Sequence, residues 1–269
     1  MSLVRRLLTS AVLIGLIVYT LFFQGAFLFS LEVFLFTGVA LFEYFTLLRR
    51  AEIPCFRLFG VVIGLVIPLV VYTELGLTRS GEVLFLILAC LFLFLIQFSR
   101  KDNSQGVVGI ALTFFGILYV SWFLSFLIKI RFLENGAFWV AYLIAVTKSA
   151  DIGAYTVGKL VGRQKLISHI SPNKTREGFL GGLVFSMGAS VLLHPFIPLP
   201  WSLTHLMILG ILIGMVGQIG DLSESLIKRF MKTKDSGSLL PGMGGVLDAV
   251  DSILFIAPIF YYHLVLYKL

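Results

Sequence analysis

Apolar runs of about 20 residues, the length that crosses a hydrocarbon core, recur from one end of this 269-residue chain to the other. They fall at roughly 7–28, 30–48, 58–75, 82–98, 106–128, 137–158, 178–199, 203–226 and 246–267, with short polar breaks between them. None alternates strictly between apolar and polar residues, as barrel strands would. In hydrocarbon every backbone N–H and C=O needs an internal partner, which leaves the helix as the spanning element. The expected fold is an all-α polytopic membrane protein with about nine transmembrane helices. Composition agrees, since only 13% of the residues are charged, against roughly 25% in a soluble domain.

The first run follows Arg5 and Arg6 and so invites comparison with a secretory signal. It exceeds the roughly 7–15 residues of such an apolar core, and no small-residue cleavage site ends it. It reads as a first span with a cytoplasmic N-terminus. Alternating sides from there, sixteen of the 21 Lys and Arg gather on the cytoplasmic side; Arg79, Lys129, Arg131 and Lys268 fall opposite, and Lys148 lies within a span. That bias satisfies the positive-inside rule and places the chain in the cell (inner) membrane with its basic loops in the cytoplasm. Topology and anionic headgroups thus explain the net charge of +7, and no nucleic-acid partner is needed. Cys55 and Cys90 are isolated, which indicates neither a disulfide framework nor a thiolate metal site.

Two regions differ in character. Residues 1–135, spans one to five, are rich in Phe and Leu. Their acids, Glu32 and Glu43 with Glu74 and Glu82 at span ends, suit interfacial anchoring or an interhelical hydrogen bond. No internal repeat is evident. Residues 136–269, spans six to nine, carry Lys148, Asp151, Glu177, Asp221, Glu224, Asp248 and Asp251 inside or at the mouths of spans. Each would cost roughly 2.5–3.5 kcal/mol at a helix centre facing lipid, so these groups must face one another, water or an ion. The many glycines of this half suit close helix packing.

The stretch from Ala150 to Gly182 holds the first constellation. Asp151 and Tyr155 share a helix face, and Lys148 stands one turn before Asp151, where an internal ion pair would also satisfy both charges. Downstream, Ser171, Lys174, Thr175 and Arg176 precede a helix expected to begin near Gly178. Free N–H groups at a helix start, with cations beside them, favour a bound phosphate; capping and topology alone are the competing account. The Walker spacing is absent. His169 is the one histidine near this segment.

A second constellation runs from Gly220 to Ser252. Asp221, Ser225 and Lys228 fall on one helix face, a basic loop follows, and the turn containing Gly244 and Gly245 leads to Asp248 and Asp251 one helical turn apart. Asp221, Asp248 and Asp251 form an all-oxygen set suited to Mg²⁺, although acids and bases at one depth can also neutralise each other.

These residues resemble the phosphatidate cytidylyltransferase family, the CDP-diacylglycerol synthases. The family signature reads Ser, two residues, Lys-Arg, four residues, Lys-Asp, a small-residue stretch, then Pro, one residue, His-Gly-Gly, two residues, Asp-Arg, one residue, Asp. Here Ser225, Lys228, Arg229, Lys234, Asp235, Pro241, Gly244, Gly245, Asp248 and Asp251 stand at that spacing. Met243 replaces the family His and Ala249 the Arg, changes that imply impaired turnover because a thioether and a methyl bind no phosphate.

The resemblance implies a Mg²⁺-dependent nucleotidyltransferase joining phosphatidate to CTP with release of pyrophosphate. It implies Asp221, Asp248 and Asp251 as metal ligands, and a second cation is compatible with them. Lys174, Lys228, Arg229, Lys234 and Asp235 become the catalytic set. Asp151, Tyr155, Ser171, Thr175, Arg176, Ser225, Gly244 and Gly245 become substrate contacts. CTP, phosphatidate and the lipid bilayer are the implied partners, and Gly-lined faces are compatible with a homodimer. A CDP-alcohol phosphatidyltransferase would need an Asp-Gly, two residues, Ala-Arg core that is absent. A cation or proton-coupled transporter, with Lys148, Asp151, Asp221 and Asp248 as an ion path, is the alternative from another class.

Overall fold

A computed structural model describes residues 3–73, 79–100, 104–198, 200–242 and 244–267. Glu74, Lys101, Met243 and Lys268 lie outside the described residues, as do the side chains of Arg5, Arg6 and Arg79. The chain forms two compact units, residues 1–129 with 231–249, and residues 130–230 with 250–269.

The first unit contains α1 (Leu3–Phe23), α2 (Gly25–Arg50), α3 (Arg57–Thr73), α4 (Arg79–Phe98) and α5 (Gly106–Gly116). A π-helical stretch, Ile117–Trp122, carries α5 without interruption into α6 (Phe123–Arg131). Helices α2 and α3 approach closely because α3 presents Gly60 to the Phe45 ring and Gly64 to Leu41. Pro68, inside α3, has no N–H to return to the Gly64 carbonyl. The hydroxyl of Ser121, inside the π-helical stretch, donates instead across to the Gly64 carbonyl. The Tyr44 hydroxyl donates to the Leu112 carbonyl at 2.9 Å, and the Phe56 N–H to Thr113 Oγ1 at 2.9 Å. Lys129 meets Glu82 at 2.5 Å, so two charges at span ends neutralise each other. On α4, Val83, Leu84, Ile87, Leu88, Leu91 and Leu95 are exposed, an apolar face that only lipid or another protein would cover.

The second unit contains α7 (Gly136–Val161), a hairpin of β1 (Lys165–Ile167) and β2 (Ser171–Thr175), α8 (Arg176–Leu192) and α9 (Leu203–Phe230). Helix α10 (Val246–Leu254) enters it from the first unit, and α11 (Ile256–Tyr267) follows. Pro258 has no N–H to return to the Leu254 carbonyl, which accounts for the break between α10 and α11. Helices α7, α8 and α9 pack on one another through glycines, as their density in this half leads one to expect.

Among the described residues, five helical stretches are long and apolar enough to cross a membrane: Gly25–Arg50, Gly81–Phe98, Gly106–Arg131, Leu203–Phe230 and Val246–Tyr267. With the composition, they make this a multi-pass membrane protein. The other expected spans are also helical, but α3 and α8 have 17 residues each and α7 carries Lys148 and Asp151 in its apolar stretch. Two differences from the sequence expectation stand out. The fold is not purely helical, since Lys165↔Thr175 and Ile167↔Ser171 pair antiparallel where a loop was expected. Residues 231–249 group with the N-terminal helices rather than with spans six to nine, and within that unit Glu43 of α2 accepts from Val246 N and Leu247 N.

Candidate active site

A cleft of about 530 Å³ opens within the second unit. Helix α7 contributes Asp151, Tyr155 and Gly158; the hairpin contributes Leu166, Ser171, Asn173, Lys174 and Thr175; Phe179 comes from α8, and Gln218 and Asp221 from α9. The cleft thus unites Asp151, Tyr155, Ser171, Lys174, Thr175 and Asp221 from the two constellations. Hairpin formation is what brings Lys174 over α9. Its Nζ lies 2.8 Å from Asp221 Oδ2, buried, and makes no well-formed hydrogen bond there. A buried ammonium with donors left unfilled is a group that a phosphate oxygen would complete.

Behind the cleft a polar network crosses the unit. Lys148 Nζ donates to Asp151 Oδ2 at 3.1 Å and to Ser252 Oγ at 3.0 Å, so the Lys148–Asp151 pair expected from their spacing is present. Asp251, 8% exposed, lies in the electrostatic field of Asp221, Lys148, Asp151 and Lys228. Lys228 also pairs with the fully buried Glu224. Ser225 is half-buried on the same helix.

Several expected roles change. The start of α8 is not an open anion site, because its N–H groups are already taken. Arg176 N donates to the Gln164 carbonyl at 2.9 Å, and Gly178 N to Thr175 Oγ1 at 3.1 Å. Thr175 is therefore an N-cap, and the helix begins at Arg176, earlier than the expected Gly178. Arg229 Nε donates to the Ile170 carbonyl at 3.1 Å, which ties the end of α9 to the hairpin turn and gives this guanidinium a structural task. Arg176 is exposed and donates to Gln164 Oε1 at 3.2 Å. His169 is exposed and does not line the cleft.

Gly244, Gly245 and Asp248 are engaged within the first unit, where Lys234 and Asp235 are exposed. Asp248 Oδ2 accepts from Gly245 N at 2.7 Å, Ser236 N at 2.9 Å and Ser236 Oγ at 2.8 Å. These three hydrogen bonds occupy Asp248 Oδ2 with the turn that precedes α10. The Gly245 N–H is likewise unavailable to a phosphate. Gly244 has φ +101°, a conformation that side chains rarely adopt.

Among the described residues no three His, Cys, Asp or Glu side chains form a ready-made metal cage. Mg²⁺ seldom uses one; it takes one or two carboxylates and completes its shell with substrate phosphates and water. Asp221 and Asp251 fit that donor chemistry.

Three residues escaped the sequence reading as site components. Asn173 lines the cleft between two residues that were read, and Gln218 Nε2 donates to the Phe179 carbonyl at 3.2 Å. Gln218 carried a usable signal, being an amide in an apolar run one turn before Asp221. For Glu43 the sequence suits an anchor or an interhelical hydrogen bond, and the side chain forms the latter with the start of α10.

Glu177, outside the spans, makes stability depend on pH. Its own N–H and those of Arg163 and Gln164 hold the carboxyl below the usual glutamate range. A depressed carboxyl stabilises the fold above its unfolded-state pKa and ceases to do so as pH falls through the folded value. Glu177→Gln should therefore lower the thermal midpoint at neutral pH. The gap to the parent should close in acid, and a constant gap would contradict this account.

A cleft that sets a buried ammonium against carboxylates has donor chemistry suited to a phosphate, and it lies within a multi-pass membrane protein. The chain belongs to the cytidylyltransferase family, which matches residues 4–267. A phosphatidate cytidylyltransferase of Bacillus subtilis is 33% identical over 273 residues, covering 98% of both chains. One from Synechocystis is 33% identical over 295 residues, covering 97% of this chain and 96% of its own. One from Staphylococcus saprophyticus is 37% identical over 173 residues, covering 64% of this chain and 66% of its own. These relationships lend no support to the transporter alternative, nor to impairment through Met243 and Ala249.

Proposed function

We propose that this protein converts phosphatidate and CTP to CDP-diacylglycerol and pyrophosphate. The observation that carries the reading is the cleft in which Lys174 meets Asp221 beside Asp151, within a chain of the cytidylyltransferase family. A phosphate oxygen of phosphatidate attacks the α-phosphorus of CTP, and the bond to the bridging oxygen of the β-phosphate breaks. Pyrophosphate leaves with that electron pair. No covalent enzyme intermediate is required, so positioning and charge neutralisation supply the catalysis.

In this reading Lys174 neutralises phosphate charge in the cleft, with Lys228 as the next cation along α9. Arg176 and Tyr155, exposed near the cleft, receive the lipid phosphate. Bound Mg²⁺ would act as a Lewis acid on the phosphates, with Asp221 and Asp251 as the residues that hold it and Asp151 beside them for a second cation. Lys148 restrains Asp151, and Thr175 keeps β2 joined to α8. The same proposal has nine crossings, a cytoplasmic N-terminus and a cytoplasm-facing cleft in the cell membrane, supported by the distribution of Lys and Arg. A homodimer is compatible with it.

The test uses purified protein in detergent micelles with phosphatidate and CTP. Equimolar CDP-diacylglycerol and pyrophosphate are expected, lost on chelation with EDTA and restored by Mg²⁺. Flux of a labelled cation through proteoliposomes without CTP, together with no pyrophosphate release, would overturn the reading.

A further inference from the structure

Glu43 on α2 is only 7% exposed, and what buries it is the segment leading into α10. Its Oε1 accepts from Val246 N at 3.1 Å and its Oε2 from Leu247 N at 2.9 Å. Ser236 Oγ stands 3.3 Å from Glu43 Oε2 and 2.8 Å from Asp248 Oδ2, so its single hydrogen favours Asp248. The Gly245 N–H goes to Asp248 as well. Consecutive N–H groups at the start of α10 therefore converge on two carboxylates, one of them more than 200 residues away in sequence.

Two carboxylates beside one hydroxyl repel each other. The arrangement holds because several donors and the positive end of a helix face them. It also demands small residues: a Cβ on Gly245 would stand 2.5 Å from Glu43 Oε2, and one on Gly237 would strike the same carboxylate. The consequence for α10 is registration. At 3.6 residues per turn, a one-residue slip of the chain at the Glu43 anchor would turn α10 by about 100° and aim Asp251 in another direction.

The geometry points to Glu43 as a positioning residue for the transferase: it fixes where α10 starts, and so the rotation at which Asp251 is presented for chemistry. The inference rests on the cytidylyltransferase reading above. A carboxylate serving only to anchor helices would influence folding yield and leave the chemistry of the folded enzyme untouched. The two roles are therefore separable.

Four proteins are compared: the parent, Glu43→Gln, Glu43→Asp and Glu32→Gln. Glu32 is a second buried carboxylate on α2 that accepts from Thr20 Oγ1 at 2.7 Å. It serves as the control for losing a buried acid. In Glu43→Gln the amide turns a donor towards N–H groups, and kcat should fall at least about 10-fold. KM for CTP should change little, and the Mg²⁺ concentration for half-maximal rate should rise. Hydrogen exchange at the Val246 and Leu247 amides should accelerate. Glu43→Asp should recover part of kcat, and Glu32→Gln should retain the parent's kcat and its exchange at those amides. If Glu43→Gln does not accumulate, Glu43→Asp carries the comparison, with an intermediate kcat expected. Parental kcat and Mg²⁺ response in folded protein of either Glu43 variant, whatever the yield, would overturn the inference. Absence of pyrophosphate release by the parent would instead sink the activity reading itself.

Discussion

Replacing Asp221 with Asn should lower kcat/KM for CTP by at least about 100-fold, equivalent to about 2.7 kcal/mol of transition-state stabilisation. The change is nearly isosteric, so packing of α9 is preserved and the effect reports charge. Two losses combine. The cleft loses a full negative charge where a cation would bind, and the buried Lys174 ammonium loses the partner at 2.8 Å. An unpaired buried cation is costly, which predicts a lower thermal midpoint as well. The double variant Asp221→Asn with Lys174→Met separates the two. Removing both charges should restore much of the midpoint, because no isolated ion remains, yet activity should stay as low as in Asp221→Asn or fall further. Steady-state rates and thermal unfolding of the single and double variants make the check. If Asp221→Asn kept its activity within about fivefold, Asp221 would be a structural counter-ion.

The membrane class was legible because the bilayer imposes a length and forbids unpaired backbone, both of which can be read residue by residue. The Lys148–Asp151 pair was legible for a similar reason, since three-residue spacing on a helix decides it. What could not be read were the partners set by tertiary approach. Nothing local marks SPNKT as a strand; it pairs with Lys165–Ile167, and that pairing turns the expected anion-binding N–H groups into a capped, occupied helix start. Asp248 and Asp251 look equivalent at i and i+3. Asp248 binds the turn before its own helix through Oδ2, and Asp251 sits in the field of Asp151 and Asp221. Glu43 looked like a lone acid in an apolar span because its partners are N–H groups, which every residue but proline carries and which leave no mark in composition.

The packing of α7 on α8 leads to an effect of comparable size on stability. Gly178 and Gly182, four residues apart on α8, lie against the carbonyls of Ala154 and Ala150, also four apart on α7. A Cβ on Gly178 would stand 2.7 Å from the Ala154 oxygen, and one on Gly182 3.0 Å from the Ala150 oxygen. At Gly178 backbone meets backbone, so no flexible side chain can yield, whereas at Gly182 the Gln218 amide comes closer still, at 2.7 Å; small residues are the means by which the two helices approach. Gly178→Leu should force the helices apart and carry Asp151 away from Asp221. Overpacking costs about 1–3 kcal/mol where side chains can adjust, and more is expected against fixed carbonyls. Folded, monodisperse protein should therefore be largely lost. Gly182→Ala should be milder, with a lowered midpoint and reduced activity. Gly188, on the same helix, has nothing within 4 Å of its would-be Cβ. Gly188→Ala should leave the midpoint unchanged or raise it, since alanine favours the helix by up to about 1 kcal/mol. Thermal unfolding and size-exclusion profiles of the three variants give the ranking, and equal behaviour of Gly178→Leu and Gly188→Ala would show that close approach of α7 and α8 does not hold the cleft together.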